Sequence, residues 1–121
     1  MSESILTLAE EKLAEIIWRT APVASPELVN IAYQELGWKK STTYTVLRRI
    51  CDKGIFKNDN AVVTVVLTYG QLQQHQSRQF VASTFSGSLP KFIAAFVGGG
   101  KLSSKEAHEL VQLIEAHQEV D

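Results

Sequence analysis

The chain has 121 residues, 45% hydrophobic and 21% charged, with 12 Lys plus Arg against 13 Asp plus Glu for a formal charge of −1. That balance excludes a disordered segment and fits about one domain, or two very small ones sharing a core. No apolar run approaches the roughly 18–20 residues of a membrane span, and the single cysteine, Cys51, excludes an internal disulfide framework and fits a reducing cytosol.

Met1–Ser4 lacks a basic segment followed by an apolar core, so no secretory signal is expected and the cytoplasm is the expected location. Thr7-Leu8-Ala9-Glu10 has the form of a capping box, a Thr with a Glu three residues on. Ala9, Leu13, Ile16 and Ile17 follow at helical spacing and Trp18 extends their side. Pro22 disfavours helical geometry at Ala21, so the helix should stop near Thr20. Ser25-Pro26 predicts a second helix, with Ser25 as N-cap and Pro26 at the first helical position. Leu28, Ile31, Ala32 and Leu36 form its stripe, and Gly37 is its natural C-terminal cap.

A third helix is predicted from about Lys40 to Lys53, ending at Gly54. Thr43, Val46, Leu47, Ile50 and Cys51 fall in one sector, the core face. Thr42, Thr45, Arg49 and Lys53 fall in another, flanked by Ser41 and Arg48. Then the period changes. Ile55-Phe56-Lys57 and the run Val62–Leu67 read as a hairpin with its turn at Asn58-Asp59-Asn60, and Val23-Ala24 as a short third strand. Three helices followed by a hairpin is the winged helix-turn-helix order.

Beyond Gly70 the pattern is helical again. Gln71–Phe85 is mostly polar, with Leu72, Phe80, Val81 and Phe85 as its apolar points. Leu89–Val97 is short and very apolar and ends at Gly98-Gly99-Gly100. Ser103-Ser104-Lys105-Glu106 is a second capping box, opening a helix with Leu110, Leu113, Ile114 and His117 in one stripe. The expected fold is mainly α with a small β hairpin: a winged helix-turn-helix over 1–69 and a helical dimerisation region over 70–121.

Charge is unevenly placed along the chain. Residues 1–37 hold Lys12 and Arg19 against six glutamates, a net of −4. Residues 38–57 hold Lys39, Lys40, Arg48, Arg49, Lys53 and Lys57 against Asp52 alone, a net of +5. A cationic helix face with short hydroxyl side chains suits a DNA major groove. Lys and Arg displace condensed counterions, and Thr and Ser bond phosphates or base edges. The candidate DNA-binding residues are Lys39, Lys40, Ser41, Thr42, Thr45, Arg48, Arg49, Lys53 and Lys57. The plain alternative for such a pattern is a solvated surface helix.

Trp38 reads as a packing anchor and Cys51 as a buried, inert thiol. His75, His108 and His117 are widely spaced and read as surface residues, so no metal site is expected. The triple glycine lacks a following Lys-Ser/Thr and is no phosphate loop. No Ser–His–Asp or paired-carboxylate constellation stands out, so neither an enzyme nor a cofactor is expected.

Trp38, then Thr42-Thr43-Tyr44-Thr45-Val46-Leu47-Arg48-Arg49-Ile50, then Lys53-Gly54 resembles the recognition-helix signature of the penicillinase-repressor family. These are the BlaI/MecI regulators of β-lactam resistance and their copper-responsive CopY cousins. Leu8-Ala9-Glu10 and Ile17-Trp18 are similar to the family's first helix. Phe85-Ser86-Gly87-Ser88-Leu89, Ala94-Ala95-Phe96-Val97 and Leu102-Ser103-Ser104-Lys105-Glu106 are similar to its C-terminal half.

The resemblance implies a bacterial, sequence-specific transcriptional repressor, acting as a homodimer on a pseudo-palindromic operator of double-stranded DNA. The residues agree with a dimer. Phe92, Phe96 and Val97 with Leu110, Leu113 and Ile114 are more apolar surface than three short helices can bury alone. With Phe80 and Phe85 they form the candidate dimerisation set; the alternative is that they pack back onto the winged helix.

The sequence also departs from the family. The wing, Asn58-Asp59-Asn60-Ala61, has only Lys57 where relatives carry Lys or Gly-Arg, so its contact with phosphate is expected to be weak. In BlaI/MecI members a membrane sensor protease cuts between an Asn and the Phe aligned with Phe96; here the candidate position is Ala95-Phe96, without the Asn. Gln118-Glu119-Val120-Asp121 holds no cysteine, so the CopY metal cluster is not expected. The acidic wing motivates a rival function, a winged-helix protein-interaction module without DNA binding.

Overall fold

A computed structural model of the chain describes residues 5–120. The expectation placed on Met1–Ser4, and the terminal Asp121, lie outside the described residues. Among the described residues the first element is helix α1 (Leu8–Thr20). The capping box is complete: Thr7 Oγ1 accepts the Glu10 N–H at 3.2 Å and Glu10 Oε1 accepts the Thr7 N–H at 2.9 Å. Leu13, Ala14, Ile16 and Ile17 are its buried stripe.

Strand β1 (Val23–Ala24) follows, then helix α2 (Ser25–Leu36). Here the expected cap moves by one residue. Ala24 is the N-cap, without a side-chain bond, and Ser25 is the first helical residue and is buried. The reason is tertiary. Pairing of Val23 with Val63 and Ala24 with Val62 keeps Ala24 extended, and the Ser25 N–H is taken by the Ala61 carbonyl at 2.8 Å. Gly37 closes α2 in the left-handed region at φ 70°, as its lack of a Cβ allows.

Helix α3 (Lys40–Asp52) leads to strands β2 (Phe56–Asp59) and β3 (Val62–Val65). The three strands form an antiparallel sheet in the order β1-β3-β2. The wing turn lies further along than expected: Asn58 and Asp59 pair with Val63 and Val62, and Asn60 and Ala61 make the turn. Both have positive φ, 52° and 61°, the handedness that matches strand twist in a two-residue hairpin turn. β3 ends at Val65, short of the expected Leu67, because Val66 and Leu67 both donate to the Ile55 carbonyl, at 2.9 and 3.0 Å.

Helix α4 (Tyr69–Thr84) starts two residues before the expected Gln71. Thr68 and Gln71 exchange side-chain bonds with each other's N–H at 2.9 and 3.1 Å, a capping box hidden in the sequence by its glutamine. Helix α5 (Leu89–Val97) begins at Ser88, whose Oγ accepts the Lys91 N–H at 3.2 Å. Helix α6 (Ser104–Ala116) begins at Ser103, whose Oγ accepts the Glu106 N–H at 3.1 Å.

The chain divides into two compact units, one up to Phe80 and one from Val81. In the first, α1, α2 and α3 close over the inner side of the sheet. Leu13, Ile16, Ile17, Leu28, Ile50, Ile55, Phe56 and Val63 form the centre of its core. Trp18 ties α1 to the end of the hairpin, its Nε1–H donating to the Leu67 carbonyl at 2.9 Å and its ring 5.3 Å from Phe56. In the second unit, α5 and α6 bury no residue. The mainly α fold with a winged helix-turn-helix order and a helical C-terminal part is as the sequence predicts.

Candidate nucleic-acid interface

Helix α3 separates its two faces cleanly. Thr43, Val46, Leu47 and Ile50 are buried against the core. Lys39, Lys40, Ser41, Thr42, Thr45, Arg48 and Arg49 are exposed. The Thr45 hydroxyl donates to the Ser41 carbonyl one turn back, at 2.9 Å, which uses its proton and keeps its oxygen as an acceptor.

The N-terminus of α3 is also open. Its N-cap, Lys39, makes no side-chain cap bond, and the first turn holds no acidic residue. The free N–H groups and the helix dipole put partial positive charge there, beside the ammonium groups of Lys39 and Lys40. An anion meets that end favourably. At the other end Asp52 is exposed and places a negative charge on the last turn.

Two of the sequence-predicted cations sit differently. Lys53 is the C-cap of α3, and its Nζ bonds Glu10 Oε1 at 2.5 Å and the Ile5 carbonyl at 2.8 Å. Its side chain stays 36% exposed, but its ammonium is engaged by these two bonds. The cause is Glu10, only 1% exposed, whose charge is costly unless paired. Burial alone would raise the Glu10 pKa; the bonds from Lys53 and Thr7 outweigh it and hold the carboxyl below its ordinary value. Lys57 is exposed on β2 but lies 3.8 Å from Asp59 Oδ2, so the wing offers little net positive charge. The Glu10–Lys53 pair was hidden from sequence reasoning. Glu10 announced itself as a capping residue, but nothing local links it to a lysine 43 positions on.

The remaining residues fall as follows. Trp38 is half-buried against the core, in keeping with a packing anchor. Cys51 is half-buried rather than fully buried, and its thiol pKa is pushed up by burial and by Asp52, which keeps it protonated and unreactive. His75, His108 and His117 are exposed. Phe80, Phe85, Phe92, Val97 and Leu110 are half-buried, while Phe96, Leu113 and Ile114 are 70%, 57% and 58% exposed. Phe92 stacks at an angle on Phe85 and Phe96, at 5.4 and 6.1 Å between centroids. Ala95 and Phe96 lie inside α5. Among the described residues no single helix is long and apolar enough to cross a membrane.

The family described as Penicillinase repressor matches residues 6–116. The chain belongs to the penicillinase-repressor family. The match runs through the winged helix and on through α4, α5 and α6, so it is not the generic likeness of one helix-turn-helix to another. The penicillinase repressor of Bacillus licheniformis is 24% identical over 114 residues, covering 91% of this chain and 89% of its own. Membership in the penicillinase-repressor family agrees with the resemblance carried by the α3 residues and the C-terminal blocks.

Proposed function

We propose that the chain is a DNA-binding transcriptional repressor that acts as a homodimer on a pseudo-palindromic operator. The observation that carries the reading is the open face of α3. Lys39, Lys40, Ser41, Thr42, Thr45, Arg48 and Arg49 are all exposed along one helix with an uncapped, acid-free N-terminus. Family membership supports it.

In this reading α3 enters the major groove. Lys39, Lys40 and the helix N-terminus take phosphates, as point charges and backbone donors. Arg48 and Arg49 present planar forks suited to phosphate or to guanine O6 and N7, and Thr42 and Thr45 offer hydroxyls and methyls to base edges. The wing contributes little, because Asp59 offsets Lys57. Residues 1–69 form the DNA-binding part and residues 70–121 the pairing part. The unburied apolar side chains of α5 and α6 support that pairing role. Two α3 helices then meet half-sites separated by about one helical turn or a multiple of it, and the bound dimer occludes polymerase.

Release by a membrane sensor protease is not part of this proposal. The Ala95–Phe96 bond lacks the Asn of the family's cleavage positions and lies within α5, which must open locally before a protease can take it. The Lys57–Asp59 pair favours a second reading, a protein-interaction module that has lost DNA binding. Fluorescence anisotropy with the duplex upstream of its own gene, at increasing salt, separates the two. The repressor reading expects binding that weakens steeply with salt, and a slope lower by about one unit for Arg49→Ala if that guanidinium holds a phosphate. Failure to bind any duplex at low salt, together with a stable complex with another protein, favours the interaction module.

A further inference from the structure

We infer that Lys53 and Glu10 are a positioning pair that sets where α3 lies on the winged helix, so that Lys53 governs operator specificity without touching DNA. The inference rests on the DNA-binding reading above. Lys53 caps the C-terminal end of α3, and Glu10 sits in the first turn of α1. One oxygen, Glu10 Oε1, takes Lys53 Nζ at 2.5 Å and the Thr7 N–H at 2.9 Å. Nζ also donates to the Ile5 carbonyl at 2.8 Å. The joint therefore locks the C-cap of the candidate recognition helix to the chain entering α1.

Both helices also contribute to one apolar core, α1 with Leu13 and Ile17, α3 with Val46, Leu47 and Ile50. Apolar burial is non-directional and resists separation more than sliding. A charge-assisted hydrogen bond to a carboxylate only 1% exposed is directional, and losing the ammonium leaves that charge short of a partner. The opposite end of α3 has no side-chain cap and is held by the packing of Trp38 and Thr43, so the directional ion pair sits at the Lys53 end. A slide of α3 lets long Lys and Arg side chains follow the phosphates. It breaks base-edge hydrogen bonds, which tolerate donor–acceptor distances only to about 3.2 Å.

The test uses the full chain and two duplexes: one that the wild-type protein selects from a random pool, and a scrambled copy. Lys53→Met should weaken binding to the selected duplex about tenfold, leave the scrambled duplex unchanged, and leave the salt slope unchanged. Lys53→Arg, which retains the ion pair, should restore the preference. Circular dichroism at the binding temperature reports whether each variant is folded. Should Lys53→Met unfold, Glu10→Gln carries the test, since its amide keeps an acceptor for Thr7 and Lys53 while weakening the joint. A slope lower by about one unit on both duplexes would make Lys53 a phosphate contact and overturn the inference. An unchanged preference in folded variants would overturn it as well. A wild-type chain that selects no duplex removes the DNA-binding reading itself.

Discussion

Glu10 keeps its charge in a nearly dry position because three residues are arranged around it. Thr7 supplies a backbone donor, Lys53 an ammonium, and the Ile5 carbonyl a second acceptor for that ammonium. With its folded pKa below the unfolded value, the carboxylate stabilises the fold fully above the ordinary glutamate range of about 4.3. That contribution is lost as pH falls through the ordinary value and then the lowered one. Urea unfolding of wild type and Glu10→Gln should differ most above about pH 5 and converge on acidification. A difference that grows as pH falls contradicts the pairing. Lys53→Met should destabilise by about 1–3 kcal/mol, the cost of a buried polar group left short of a partner, measured in the same titrations. At this scale the sequence exposes local relations and conceals distant ones. The Thr7–Glu10 box is legible because its partners are three residues apart. Lys53 looks like one more cation on a basic helix until the fold brings Glu10 to it.

Elements show the same division between local and tertiary causes. α5 keeps its expected bounds, Leu89–Val97, because its apolar run stops at Gly98. α2 was displaced by one residue because β1 pairing, absent from any local signal, holds Ala24 extended. The wing turn was hidden by composition: Asn58-Asp59-Asn60 draws the eye, yet the turn uses Ala61, a residue that enters the left-handed region at a cost. Ala61→Gly should therefore stabilise the fold by about 1 kcal/mol, read from the urea midpoint, because glycine reaches φ 61° without a Cβ penalty. Its backbone carbonyl would still accept the Ser25 N–H. Thr68→Ala should destabilise by about 1 kcal/mol through loss of the Thr68–Gln71 cap. A neutral result would mean that α4 starts without that cap.

On the scale of the whole molecule, a net charge of −1 conceals the property that matters. The positive excess is confined to residues 38–57, and the fold lays most of it along the open face of α3 while Lys53 pairs with Glu10. The C-terminal helices carry the opposite kind of surface, apolar and unburied. Phe96→Asp places a charge on a side chain that is 70% exposed, so the helix should persist while pairing fails. Analytical ultracentrifugation should then show a lighter species than wild type. Operator affinity should fall about 10²–10⁴-fold, the loss expected when a second half-site is no longer tethered. An unchanged mass would place the dimer contact elsewhere. Backbone amide NMR shifts, followed as the selected duplex is titrated in, show directly whether α3 is the surface that meets DNA. The large shifts should concentrate on Lys39–Arg49, with Lys53 moved little and α6 unaffected. Shifts centred on the C-terminal helices, or none on α3 while the duplex is bound, would contradict it.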